Sequence, residues 1–150
     1  MTMTALKDDQ ARRSFYLVLL AAYVWINVSE VFHYFAFVMP MTRVAMLAVP
    51  DVAPMSMLIF LIWGFWDTLL FAVVAFIAWL FYEKFGDGIP NALAAGTLLW
   101  AAIFCILWLG LYNMNLTVAR VPLTALPLAW IEMVVAVTIL ERAWPHLLRK

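Results

Sequence analysis

Four long apolar stretches alternate with short polar or proline-containing links along this chain. They cover residues 14–38, 57–81, 91–112 and 122–140. Each supplies the roughly 20 apolar residues that a helix needs to cross the hydrocarbon core of a bilayer. The pattern therefore predicts an all-α integral membrane protein with four spans. The links "EKFGDGIPN" and "NMNLTVAR" are short, so consecutive helices should lie side by side and antiparallel, as an up-down-up-down four-helix bundle. The first link, "MPMTRVAMLAVPDVAPMS", is longer, apolar and broken by Pro40, Pro50 and Pro54. It is too short to cross the membrane and return, and predicts a short interfacial helix near residues 42–48 in the first outer loop. Asp8 and Asp9 are positioned to cap the first helix. Pro90 and Pro122 suit the first turns of the third and fourth.

Composition turns this pattern into a class. The chain of 150 residues is 68% hydrophobic and 12% charged, against about half apolar and about a quarter charged for a soluble domain. Residues 1–150 read as a single membrane domain. Net charge is zero, which leaves no basic footprint for nucleic acid. The expected partners are the lipid bilayer and a small cationic or lipophilic ligand, within a homo-oligomer or larger membrane complex if one forms. Lys7, Arg12, Arg13, Lys84, Arg142, Arg149 and Lys150 fall on one side of the four-span arrangement, and Arg43 and Arg120 on the other. The positive-inside rule then places both termini in the cytoplasm. The first span is too long for a signal peptide and lacks a small-residue cleavage site, so it reads as a retained anchor. Cys105 is the single cysteine, which excludes an internal disulfide and reads as a small core residue.

Against this background the charges inside the spans stand out. In "WINVSEVFHYF" (residues 25–35), Glu30 and His33 sit within lipid-bound sequence. Asp67 falls in the second span and Glu132 in the fourth. Asn113 and Asn115 close the outer end of the third span, with Arg43 and Arg120 just beyond the membrane. An isolated charge at membrane depth costs at least about 2.5–3.5 kcal/mol on insertion scales, so these groups should face inward and converge. Tyr16, Tyr23, Asn27, Glu30 and Tyr34 trace one face at helical period. Trp63 and Asp67 share another. Pro127 frees the carbonyl of Leu123 within the fourth span, a defect tolerated where neighbours or cavity water satisfy it. The fragments "FWDT" and "AWIEM" echo one another, as a duplicated two-helix unit or as chance in hydrophobic sequence.

Several chemistries fit these residues. The leading expectation is binding or proton-coupled movement of a cationic or amphipathic small molecule. Glu30, Asp67 and Glu132 would be the working carboxyls, and Asn27, His33, Trp66, Asn113, Arg120 and Trp130 would bind the ligand. Aromatic faces beside a carboxylate suit organic cations, and a carboxyl in a low dielectric can exchange a proton for one. A membrane-embedded isomerase or hydrolase could use the same carboxyls as general acid and base on a lipophilic substrate, with Arg43 or Arg120 stabilising developing negative charge. Metal assistance would draw on Glu30, His33, Asp67 and Glu132. "EVFH" has the Glu-x-x-His spacing of dinuclear bundle sites, though it occurs once where such sites use it twice. Met39, Met41, Met46, Met55, Met57 and Met114 cluster toward the outer side, where thioethers would favour Cu(I) or simply fill apolar space. No cofactor is specified, and no nucleophile motif or phosphate loop occurs. The remaining alternatives are structural. The polar groups would then hydrogen-bond across helices, or the small residues of "NALAAGTLLWAA" would seat the chain in a larger assembly.

Overall fold

The computed structural model describes residues 3–46, 51 and 54–144, with side chains from Asp9 onward. All regular structure among them is helical. Helix α1 (Met3–His33) passes through a π turn (Tyr34–Val38) into α2 (Met39–Ala45). Helix α3 is Met57–Phe85. The third span is α4 (Ile89–Trp100), a second π turn (Ala101–Cys105) and α5 (Ile106–Asn113), and α6 is Arg120–Leu140. Four continuous helical stretches, Asp9–Ala45, Met57–Phe85, Ile89–Asn113 and Arg120–Leu140, are long and apolar enough to cross a membrane. This is the architecture of a small multi-pass membrane protein.

The first helix departs from expectation at both ends. It begins before Asp8 and Asp9, which therefore lie inside it rather than capping it. Asp9 instead pairs with Arg12 at 2.8 Å on an exposed face. At the other end the chain stays helical through Pro40. The π turn accounts for this: Met39 N–H donates to the Tyr34 carbonyl five residues back, so Pro40 enters in the first turn of a fresh α-helical segment, one residue after its start. There its missing N–H costs little. Helical structure ends at Ala45. Of the segment expected to be an interfacial helix, Leu47 and Ala48 lie outside the described residues.

The other ends follow ordinary chemistry. The Ser56 hydroxyl accepts from Ile59 N–H to cap α3. Gly86 (φ 80°) and Gly88 (φ 126°) supply the left-handed backbone of the next link. Asn91 Nδ2 ties that link down by donating to the Phe85 carbonyl at 2.9 Å. The Glu141 carboxylate, just past α6, accepts from Gly88 N–H at 3.4 Å and clasps the same end of the bundle.

Helix α6 is the hub, packing against α4, α1 and α3. Its closest approach is to α4, where a side chain on Gly96 would meet the Val134 backbone at 2.7 Å. The core between the helices is built mainly of small and aliphatic residues, among them Ala22, Ile26, Val74, Ala95, Met133 and Ala136. Three indoles reinforce it. Trp100 donates to the Leu126 carbonyl at 2.8 Å, immediately before Pro127. Trp130 donates to Thr97 Oγ1 at 3.0 Å, and Trp25 to the Glu132 carbonyl at 3.1 Å. In lipid, where water cannot satisfy them, such groups must find protein partners.

Candidate functional site

The interior face of α1 carries Ala22, Ile26 and Ser29, with His33 one turn further on. This face is rotated by about one residue from the tyrosine–asparagine stripe that period alone suggested. Tyr16 is 61% exposed. Tyr23 shares a hydrogen bond with Thr68 at 3.1 Å. Asn27 turns back on its own helix, donating to the Tyr23 carbonyl at 2.9 Å. A short amide can satisfy itself on the preceding turn, so its presence in a span does not oblige it to face inward.

Past that face, a cavity of about 440 Å³ opens between the ends of four helical stretches. Its wall takes Glu30 and His33 from α1, Tyr34 and Val38 from the first π turn, and Trp63, Trp66 and Leu70 from α3. The second π turn contributes Ile103 and Phe104, α5 contributes Leu107 and Trp108, and α6 contributes Ala125 and Ala129. Both π turns thus supply wall residues, a placement common for these local defects at functional sites. Tyr34 and Trp63 meet edge to face, with ring centroids 4.7 Å apart, and lock α1 to α3 beside the cavity. Trp66 is 53% exposed and borders the cavity mouth.

Two carboxyls stand behind this wall. Glu132 is fully buried, and its Oε2 lies 3.3 Å from His33 Nδ1. That distance is within ion-pair range, although the geometry does not yet close a hydrogen bond. The other ring nitrogen, Nε2, lies 3.3 Å from Ser29 Oγ. Asp67 is 2% exposed, and its Oδ1 has no hydrogen-bond partner among the described residues. The Trp63 indole one turn earlier is its polar neighbour. Glu30, Asp67 and Glu132 sit close enough to act on one another electrostatically, and His33 acts on Glu30. Among the described residues, no lysine or arginine is within ion-pair range of Asp67 or Glu132.

Nothing matches this chain among protein-family models, curated proteins or solved structures. The site must therefore be read from its own geometry. Of the residues singled out from sequence, the structure gathers Glu30, His33, Trp66, Asp67 and Glu132 in or directly behind the cavity. It sets others apart. Asn27 lies in a separate shallow groove with Val28 and Phe32. Trp130 is exposed and committed to Thr97. Asn113 and Arg120 are exposed at the ends of α5 and α6 and do not line the cavity. Among the described residues, no three His, Cys, Asp or Glu side chains converge as metal ligands, so the four polar residues named for a metal do not form a coordination set here. Of the six methionines noted, Met55 reaches the cavity wall.

Ser29, Ile103, Phe104, Leu107 and Trp108 complete the site without having been singled out. Ser29 carried a readable signal, its i, i+4 spacing to His33. The apolar wall residues carried none, because every span offers many equivalent side chains.

Proposed function

We propose that this protein binds a cationic, amphipathic small molecule in the cavity, with Glu30 meeting its charge, and that a carboxyl of the set exchanges a proton with it. The observation that carries this reading is the wall itself. Tyr34, Trp63, Trp66 and Trp108 line it, and Glu30 is its one carboxyl among the described residues. The volume, about 440 Å³, falls in the range of roughly 300–1,000 Å³ typical of small-molecule sites. Away from water, an aromatic face attracts an organic cation by about 2 kcal/mol or more. A carboxylate there supplies the charge that a neutral lipophile would leave without a partner. Placed in the bilayer as an up-down bundle, with the basic ends cytoplasmic, the cavity lies toward the opposite leaflet.

The probe is tetraphenylphosphonium, a lipophilic monocation, titrated against purified protein in a weakly buffered detergent solution. Tryptophan fluorescence reports binding, and a pH dye reports protons. Saturable binding with proton release is expected, with affinity at least about tenfold weaker in Glu30→Gln, equivalent to about 1.4 kcal/mol. Equal affinity in wild type and E30Q, or no saturable binding, overturns the proposal. One observation favours a second reading: Glu30 and His33 share the wall, so two proton-transfer groups face any occupant, as isomerisation of a lipophilic substrate requires. Chemical conversion of a bound lipophile, lost in E30Q, would select that reading.

A further inference from the structure

The arrangement behind the wall separates two jobs that a single carboxyl would otherwise share. Glu30 lies on the cavity, whereas Glu132 is wholly enclosed and meets the cavity through His33. His33 has a polar group at each ring nitrogen: Glu132 Oε2 at Nδ1 and Ser29 Oγ at Nε2, both at 3.3 Å. We propose that Ser29, His33 and Glu132 form a proton relay, in which Glu132 stores the exchanged proton and His33 passes it to and from the cavity. This rests on the proton-coupled reading above and assigns the proton to a different carboxyl from the one that meets the cation.

The hydrogen inventory balances in both states. With the proton stored, the Glu132 hydroxyl donates to Nδ1, and Nε2–H donates to Ser29 Oγ. On release, the Glu132 proton moves to Nδ1 while the His33 ring, which lines the cavity, turns Nε2 off Ser29 to give its proton to cavity water and then returns. Nδ1–H then donates to the Glu132 carboxylate, and the Ser29 hydroxyl turns to donate to Nε2. The imidazole is neutral in both states and differs only in tautomer, and serine can donate or accept as needed. One proton leaves per cycle. A cation arriving beside Glu30 favours this release by repulsion.

The surrounding charges suit this role. The Ser29 hydroxyl is near enough to act on the Glu132 carboxyl as well as on His33, and Asp67 on α3 and Glu30 on α1 act on the same pair electrostatically. Tyr34 lines the cavity and is in turn influenced by Arg43 on α2. The titratable residues of the third span, Cys105 and Tyr112, do not line the cavity, and Arg120 is exposed at the start of α6.

Serine, histidine and glutamate in this order also describe a hydrolase triad. The surroundings argue against nucleophilic attack by Ser29. It is 7% exposed, it is not on the cavity wall, and it lies within α1, where nearby backbone N–H groups are spent on the helix rather than free to hold an oxyanion.

The test is infrared difference spectroscopy across a pH step without ligand, followed by the same measurement with tetraphenylphosphonium. A protonated-carboxyl band that persists in Glu30→Gln and disappears in Glu132→Gln is expected. In His33→Gln, proton release measured at saturating tetraphenylphosphonium should slow at least about tenfold. A band unchanged in E132Q, or release at the wild-type rate in H33Q, overturns the relay. Should E132Q fail to fold, nitrogen NMR of labelled histidine in the intact protein takes its place, with H33Q identifying the His33 signal. A tautomer change with pH supports the relay, and a fixed tautomer overturns it. If the Glu132 band moves with pH but tetraphenylphosphonium never binds, the ligand assignment fails while the relay stands.

Discussion

At the scale of single residues, Asp67 tests whether every buried carboxyl in this set carries function. It is 2% exposed, and among the described residues it has no lysine or arginine in ion-pair range. An unpaired buried charge is costly, and an amide of the same shape avoids that cost. Asp67→Asn is therefore expected to be as stable as wild type or more so, by up to about 1 kcal/mol. Thermal unfolding in detergent checks this. A loss above about 2 kcal/mol would show that the charge itself holds the bundle together. Because the relay runs through Glu132, proton release should survive in D67N. The sequence made Asp67 and Glu132 visible because charge is rare in a span, and the same rarity revealed Glu30 and His33. It did not place Asn27 and Trp130, whose polar atoms are taken up by Tyr23 on the same helix and by Thr97 across on α4. Residue type alone does not say whether a polar atom bonds to its own helix, to a neighbouring helix or faces the cavity.

At the scale of elements, the four spans were legible from apolar length, because bilayer thickness fixes what a helix must supply. The π turns were not. Each depends on where one hydrogen bond shifts by a residue, and apolar sequence does not mark that position. The interior stripe of α1 was also misplaced by period, since in lipid the apolar residues face outward as readily as inward. Close packing offers a sharper signal. Gly96 faces Val134 so tightly that an added Cβ would lie 2.7 Å from its Cα and 3.0 Å from its backbone nitrogen. Backbone atoms cannot swing aside, so α4 and α6 would have to part. Gly64, within α3, has no atom within 4 Å of an added Cβ. Gly96→Ala should therefore cost about 1–3 kcal/mol by overpacking. Gly64→Ala should be neutral or gain up to about 1 kcal/mol through helix propensity. Equal stability of the two variants would mean that the α4–α6 contact is not as close in the membrane as in this structure.

At the scale of the whole molecule, charge distribution and cavity placement make one joint prediction. The cavity draws on the end of the first helical stretch, the beginning of the second, the end of the third and the beginning of the fourth. Arg43 and Arg120 belong to that end of the sequence pattern, whereas seven of the nine basic residues belong to the other. A basic segment is retained in the cytoplasm during insertion, so the end carrying Lys84 and Arg142 should stay inside. The carboxyl cavity would then face the opposite side, where cations arrive from outside or are delivered by export. Two single-cysteine variants separate these ends once Cys105 is replaced by alanine. Asp87→Cys lies in the exposed link after α3, and Met114→Cys in the exposed turn after α5. In intact cells, a membrane-impermeant maleimide should label position 114 without permeabilisation and position 87 only after it. The reverse pattern would place the cavity on the cytoplasmic side. The relay would then take its proton from the cytoplasm and the cation site would face inward, while the residue assignments within the cavity would stand unchanged.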